Sequence, residues 1–284
     1  MNNGQFDLDV KKHWCPGCGN FIILKTLKKT LENLDLTPQD LVIVSGIGQA
    51  GKTPHFMRTN YFNGLHGRAL PLAMAAKALN PKMVVLAISG DGCMYSEGGN
   101  HLIHAIRRNI DVTCIVHNNM VYGLTKGQAS PTSQAGFTTK VQLNGVTSQS
   151  FNPISFAVGM NATFVARANA ADKEETQEIL TKAINHKGFA LVDIFQPCVT
   201  FNKTNTYSWF KENSYYLEDD YDSEDRETAF SKACEKTPYP LGVIFQQENM
   251  PTFHEKTLAY SDKKKTPLID RERNLTKIEE NFFT

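Results

Sequence analysis

Two short stretches of this chain carry residue types suited to phosphate and metal chemistry. Gly90-Asp91-Gly92 follows a continuous apolar run. Its glycines let backbone N–H groups approach a diphosphate closely. Asp91 adds a hard carboxylate oxygen of the kind Mg²⁺ prefers. Asn118-Asn119 follows the next apolar run, and an amide oxygen there can complete the same metal shell. Asn118 can equally orient Asn119 or the diphosphate. Either motif alone is an ordinary turn. One helix and one strand apart, at consecutive strand ends, they form a combined signal. A third group, Cys15-Pro16-Gly17-Cys18, has the CxxC spacing of one corner of a metal or cluster site. Zinc ribbons use two such pairs and only one is present here.

The surrounding pattern supplies the elements that must hold these groups. Leu24, Leu27, Leu31 and Leu34 share one face of a helix over 20–34. A strand at 41–45 leads into GIGQAG. Pro71 suits the first turn of a helix over 70–79. Residues 83–89 read as a parallel strand buried on both faces. A helix over 98–109, a strand over 111–117 and a long polar loop over 122–151 follow; loops of that length usually serve function or a partner. Asn152-Pro153 opens a short helix, then come a strand at 162–167, a helix at 171–186 and a strand at 188–195. Alternating strands and helices predict an α/β fold, a doubly wound, mostly parallel sheet. Ligands of such sheets sit beyond the carboxyl ends of the strands.

The pattern fades after Cys198. We divide the chain into a domain over 1–198, with an N-terminal cluster-ligand segment, and a C-terminal extension over 199–284 that packs on the domain or on a partner. Trp209 and the tyrosines at 207, 215, 216 and 221 are expected to anchor the extension to a neighbour. The last residues, with Lys263 to Lys265 and Arg271 to Arg273, read as a mobile tail.

Bulk composition narrows the class. The chain has 284 residues, 41% hydrophobic and 21% charged, with a formal net charge of +1. That balance gives no nucleic-acid footprint and no membrane patch. No apolar run approaches the ~18–20 residues of a spanning helix, and the N-terminus lacks a signal-peptide core. A cytoplasmic location is expected. In a reducing compartment the six cysteines point to metal or redox chemistry before disulfides.

WCPGCGN (14–20), SGIG (45–48), HGRA (66–69), GDG (90–92), GGNH (98–101), RRNID (107–111), NNMVYGLTKGQ (118–128), SPTS (130–133), PCVTFN (197–202) and PLGV (240–243) stand in this order. Together they resemble the β subunit of 2-oxoacid:ferredoxin oxidoreductases, over roughly residues 13–245. The GDG…NN pair resembles the magnesium and diphosphate motif of thiamine-diphosphate enzymes. The resemblance implies Mg²⁺ ligation by Asp91, Asn119 and the backbone carbonyl of Val121. It implies cofactor contacts from Ser45, Gly46, Ile47, Gly48, His66, Gly90, Gly92, Cys93, Gly123, Leu124 and Thr125, and a substrate-facing Lys52. It also implies oxidative decarboxylation of a 2-oxoacid such as 2-oxoglutarate or pyruvate, transfer of the acyl group to coenzyme A, and electron passage through a [4Fe–4S] cluster to ferredoxin. The ylid-promoting Glu is then expected from an α subunit, and this chain alone is expected to be inactive.

Cys15, Cys18 and Cys198 match three of the four cluster cysteines of that family. The fourth, just after SGIG, is Gln49. A cluster with three thiolates, a three-iron cluster, or an empty or zinc-loaded site all follow from this departure. Cys114 reads as core, Cys234 as part of a charged helix, and Cys93 as near the diphosphate. His101 and His104 lie three apart on a helix, where packing or solvent exposure is expected rather than metal binding. Two rival readings stay open at this point: a non-redox thiamine decarboxylase or lyase subunit lacking a functional cluster, and a silent cofactor-binding scaffold subunit.

Overall fold

The structure is a computed structural model that describes residues 4–260 and 266–272. The expected tail falls mostly outside the described residues. Among the described residues, one eight-stranded sheet runs in the order β2-β1-β3-β4-β6-β5-β8-β7. Its strands are β1 (Leu41–Ser45), β2 (Asn60–Asn63), β3 (Val84–Gly90), β4 (Thr113–Asn118), β5 (Phe164–Asn169), β6 (Ala190–Phe195), β7 (Ser214–Tyr216) and β8 (Tyr239–Gln246). The first six are mutually parallel; β8 runs antiparallel to β5, and β7 is parallel to β8.

Each face of the sheet is covered. One carries α1 (Asn20–Asn33) and α5 (Lys173–Asn185), whose Leu24, Leu27, Leu31, Ile179 and Leu180 pack on Leu86, Ile88 and Val192. Burial of each such leucine stabilises the fold by roughly 1.5–3 kcal/mol, which fastens the Cys15–Cys18 segment preceding α1 to the sheet. The other face carries α2 (Ala69–Leu79), α3 (Gly99–Arg108), α4 (Pro153–Gly159) and α7 (Arg226–Ala233). Here Leu70, Leu102, Ile154 and Ala229 meet Val85, Cys114 and Val116. Local signals start and stop these helices. Pro153 sits in the first turn of α4, and the Asn152 side chain accepts from the amides of Ile154 and Ser155. Asn109 ends α3 in the left-handed region, φ 47°.

Two differences from the sequence pattern stand out. Strand β2 has every residue exposed; a solvated edge strand lacks the apolar alternation that marks a half-buried one. Residues after Cys198 extend the same sheet through β7 and β8 and add α6 (Tyr207–Glu212), α7 and α8 (Phe253–Lys256). The aromatic anchors of this region engage the domain, one of the two bodies open to the extension. The Tyr207 hydroxyl donates to Gly17 O, Tyr215 to Glu235, Tyr216 to Asp172 and Tyr221 to Ile244 O. The ring of Trp209 packs on Phe210 at 5.2 Å. These polar tips find partners within the chain, so the extension is sewn onto its own domain.

Candidate active site

Strand register decides which residues meet. Gly90 at the end of β3 pairs with His117 near the end of β4, and Asn118 pairs with Phe195 at the end of β6. Asp91-Gly92, Asn119 and Gln196-Pro197-Cys198 therefore leave the sheet side by side. The GDG and NN motifs, separate in the chain, become one rim.

Asp91 is buried, and its Oδ2 accepts from Ser130 Oγ at 2.5 Å and Thr132 Oγ1 at 2.7 Å. Burial pushes its carboxyl up to about 6 against the pull of those two hydroxyls. A carboxylate desolvated in this way favours a cation beside it. Thr132 Oγ1 also reaches Asn118 Oδ1 at 3.0 Å, and Asn118 Nδ2 lies 3.1 Å from both oxygens of Asp193. Asp193 in turn accepts from Tyr95 at 2.6 Å and faces Arg167 Nε at 3.9 Å. Asn118 is thus fully engaged inward. Asn119 points the other way: its Nδ2 donates to Gln196 Oε1 at 3.4 Å, and its Oδ1 accepts from Val121 N at 3.1 Å. Between them Met120 adopts φ 55°, held by Ser133 Oγ on its carbonyl at 2.6 Å. A non-glycine residue there stores on the order of 1–3 kcal/mol of strain, a mark of backbone bent for a purpose.

Asp91, Asn119 and Val121 line one open cleft of about 510 Å³ with Ile47, Gly48, Gln49, His66, Gly90, Gly92, Cys93, Gly123, Leu124 and Thr125. A Cβ at Gly92 would lie 2.2 Å from the Tyr122 ring, and one at Gly46 would lie 2.5 Å from Cys93 Sγ. Cys93 is buried, and its sulfur accepts from the amides of Gly67 at 3.1 Å and Ile47 at 3.4 Å. It ties the SGIG loop to the HGRA turn. His66 Nδ1 stands 2.9 Å from Glu97 Oε2. Thr125 Oγ1 donates to Gln128 Oε1 at 2.5 Å, so its hydroxyl hydrogen is committed within the loop. Ser45 and Gly46 sit behind the wall, both fixed by Asn63 Nδ2 at 2.9 Å. Lys52 is half-buried in the short turn Ala50–Phe56 and does not line the cleft.

His117 belongs to this site although no motif in the sequence singles it out. Its Nδ1 meets Asn20 Oδ1 at 2.8 Å, while its Nε2 is buried without a partner in a side chain that lines the cleft. Burial lowers its pKa to about 3, so the ring is neutral. Gln49 Oε1 is likewise shielded and unpartnered. Leaving such a group unsatisfied costs about 1–3 kcal/mol. The buried Asp91 carboxylate suits a cation, and the open space where a Cβ would stand at Gly48 leaves room for a diphosphate beside it.

A second, smaller cavity adjoins the first. Trp14, Cys15, Cys18, Asn20, Gln49, Asn119, Gly123, Gln196 and Cys198 line it. Gln49, Asn119 and Gly123 belong to both walls. A Cβ at Gly123 would lie 3.4 Å from Cys198 Sγ. Burial pushes the Cys18 thiol up to about 11, and the neighbouring Cys198 and Cys15 add to the rise. Three thiols in one cavity suit an iron–sulfur cluster by donor chemistry, while the Gln49 amide oxygen beside them is a harder donor than such clusters favour. Among the described residues, no group of three His, Cys, Asp or Glu side chains has the geometry of a metal-ion site. Of the other cysteines, Cys114 is buried in the core and Cys234 is exposed at the end of α7. His101 pairs with Arg68 Nη1 at 2.9 Å rather than with His104.

Several supporting residues have no signature of their own in the sequence. Ser130 and Thr132 lie within SPTS, whose role no spacing reveals. Gln196 is buried and bridges the two cavities: its Oε1 accepts from Asn119 and its Nε2 lies 3.5 Å from Cys18 Sγ. Asn202 donates to Asn119 O at 3.0 Å. Its place in PCVTFN is the only hint.

Residues 46–194 match the family model "Thiamine pyrophosphate enzyme, C-terminal TPP binding domain". Residues 198–262 match the family model for the C-terminal part of the pyruvate ferredoxin oxidoreductase beta subunit. The chain is 42% identical over 257 residues to 2-oxoacid:ferredoxin oxidoreductase subunit beta of Saccharolobus solfataricus, covering 86% of this chain and 84% of the relative. It is 45% identical over 198 residues to 2-oxoglutarate oxidoreductase subunit KorB of Mycobacterium tuberculosis, covering 70% of this chain and 53% of that one. A solved structure of 2-oxoglutarate:ferredoxin oxidoreductase from Magnetococcus marinus, with 2-oxoglutarate, coenzyme A and succinyl-CoA bound, superposes with a TM-score of 0.87 at 31% identity, covering 99% of this chain and 92% of that one. With its thiamine-type sheet, its paired strand-end motifs and these relatives, the chain belongs to the β subunits of the 2-oxoacid:ferredoxin oxidoreductases.

Proposed function

We propose that the chain binds thiamine diphosphate through Mg²⁺ and works with an α subunit to decarboxylate a 2-oxoacid oxidatively, passing the acyl group to coenzyme A and electrons to ferredoxin. The observation that carries this reading is the shared wall: Gln49, Asn119 and Gly123 face both the diphosphate cleft and the thiol cavity. A cofactor in the first and an electron acceptor in the second would be separated by little more than one side chain.

Asp91, Asn119 and the carbonyl of Val121 would hold the cation. Ser130 and Thr132 steady the Asp91 carboxylate, and Asn118, fixed by Asp193, steadies the turn. The amides of the SGIG and GDG turns would receive the diphosphate, and neutral His117, whose Nε2 is left as an acceptor by the Asn20 contact, would accept from a donor on the bound cofactor. Cys15, Cys18 and Cys198 would hold an iron–sulfur cluster. When bound, the thiazolium supplies the carbanion chemistry that protein side chains lack. His66 and Thr125, which line the cleft, would contact phosphate or substrate, and Lys52, outside that lining, would have to turn toward the cleft to meet the substrate carboxylate. The α subunit would supply the Glu that activates the aminopyrimidine. The substrate class is taken as 2-oxoglutarate or a broad range of 2-oxoacids, in line with the KorB relatives.

The test is an anaerobic preparation of the chain with its α subunit, given a 2-oxoacid, coenzyme A and a viologen dye. Dye reduction that needs both substrates and is lost in Asp91→Ala is the expected result. Absence of reduction with every 2-oxoacid tried overturns the proposal. Aldehyde release without dye reduction replaces it with a non-redox decarboxylase.

A further inference from the structure

We infer that the Gln49 side chain, through Oε1, is the fourth protein ligand of the cluster held by Cys15, Cys18 and Cys198. The inference rests on the cluster reading above and goes beyond it. Gln49 closes the same cavity as the three thiols, and its Oε1 is shielded from solvent with no hydrogen-bond donor. Its backbone is pinned next to the first cysteine: Gln49 O accepts from Trp14 Nε1 at 2.9 Å. The Trp14 ring is itself wedged edge-on against Phe21 at 5.3 Å and Phe56 at 4.8 Å.

No other thiol can take the corner. Cys93 lines the diphosphate cleft and accepts two backbone amides, Cys114 is sealed in the core, and Cys234 is exposed at the end of α7. Gln196 and Asn20, the other buried amides of the cavity, each have an oxygen already engaged, by Asn119 Nδ2 and by His117 Nδ1. Among the buried amide oxygens of this lining, Gln49 Oε1 is the one that accepts nothing.

The chemistry of an amide ligand differs from that of a thiolate in two ways. An amide oxygen donates without losing a proton, so the cluster carries one negative charge fewer than with four thiolates. Cluster potentials follow net charge, so this one is raised. The oxygen is also a hard donor where iron–sulfur clusters favour soft ones. The iron it holds is then the least tightly bound, and the first to leave on oxidation.

The test compares wild type, Gln49→Leu and Gln49→Cys, each purified anaerobically with the α subunit. Iron and sulfide are counted, EPR spectra are recorded during ferricyanide titration, and the midpoint potential is measured. The far-UV circular dichroism spectrum and thermal midpoint of the same samples separate loss of a ligand from loss of the fold. Wild type is expected to lose one iron per cluster on mild oxidation, giving a three-iron EPR signal that ferrous iron reverses. Gln49→Leu is expected to carry the three-iron form from the start. Gln49→Cys is expected to resist the oxidation and to shift the potential downward. Iron content and oxidation behaviour unchanged in Gln49→Leu would overturn the ligand assignment while leaving the cluster in place. Wild type without iron or sulfide overturns the cluster reading and this inference with it.

Discussion

The two adjoining cavities differ in how completely their polar groups are satisfied. Behind the diphosphate cleft, Asp91, Asn118, Asp193, Tyr95, Ser130 and Thr132 form one continuous hydrogen-bonded network, with His117 Nε2 left unpartnered on the same wall. On the thiol side, Cys18 accepts a long contact from Gln196 Nε2, at 3.5 Å, and Gln49 Oε1, shared by both walls, has no partner. A preorganised network costs little reorganisation when its ligand arrives. An unsatisfied cavity draws part of its order from what fills it. The first cavity should therefore keep its shape without ligand, and the second should depend on its occupant.

Four substitutions sharpen or break this contrast. The largest effect is expected from Asp193→Asn. Arg167 cannot give up its proton in a protein, and a buried charge left without its partner costs about 3–5 kcal/mol. The loss should appear as a lower unfolding midpoint in denaturant, and an unchanged midpoint would show that the network does not brace the fold. Asp91→Ala comes next. Even outer partners of a metal ligand are worth about 10–100-fold in affinity, so cofactor affinity should fall at least that far by fluorescence titration. Cluster iron should remain, and its loss would break the separation between the cavities.

Gln196→Leu is expected to touch both sides. It leaves the Asn119 amide and Pro197 O without their partner, at about 1–3 kcal/mol in stability. Both cofactor affinity and cluster retention should drop; a change confined to one cavity would mean that Gln196 does not couple them. Smallest is Cys93→Ala, which removes the sulfur accepting from Ile47 and Gly67. A net loss of about 1 kcal/mol is expected, read as a higher Km for thiamine diphosphate with the EPR signal intact.

Much of the sheet is legible in the sequence because its central strands are short apolar runs ended by glycine or asparagine. Residues 83–89 become β3 and residues 188–195 become β6 with shifts of a residue or two at the ends. The long loop 122–151 reads as functional, yet its working residues do not, since Ser130 and Thr132 acquire meaning only by folding back onto Asp91. Strand β8 leaves no such mark, because it pairs antiparallel with β5, and the helix before it, α7, lies in a charged stretch with little apolar periodicity. The aromatic residues of 207–221 read as anchors to the domain or to a partner alike, because composition reports stickiness but not direction.

The sequence by itself determined the ligand types and their order: the GDG and NN turns, the CxxC corner, Cys198, and glutamine in place of a fourth cysteine. Those are covalent facts, and metal and phosphate chemistry follows from donor atoms. Only the tertiary structure decided which of them share a wall. The β3–β4–β6 register sets Asp91, Asn119 and Gln196 abreast, and burial then leaves Gln49 Oε1 and His117 Nε2 without partners. Proximity and desolvation are properties of packing between segments distant in the chain, and no local pattern encodes them.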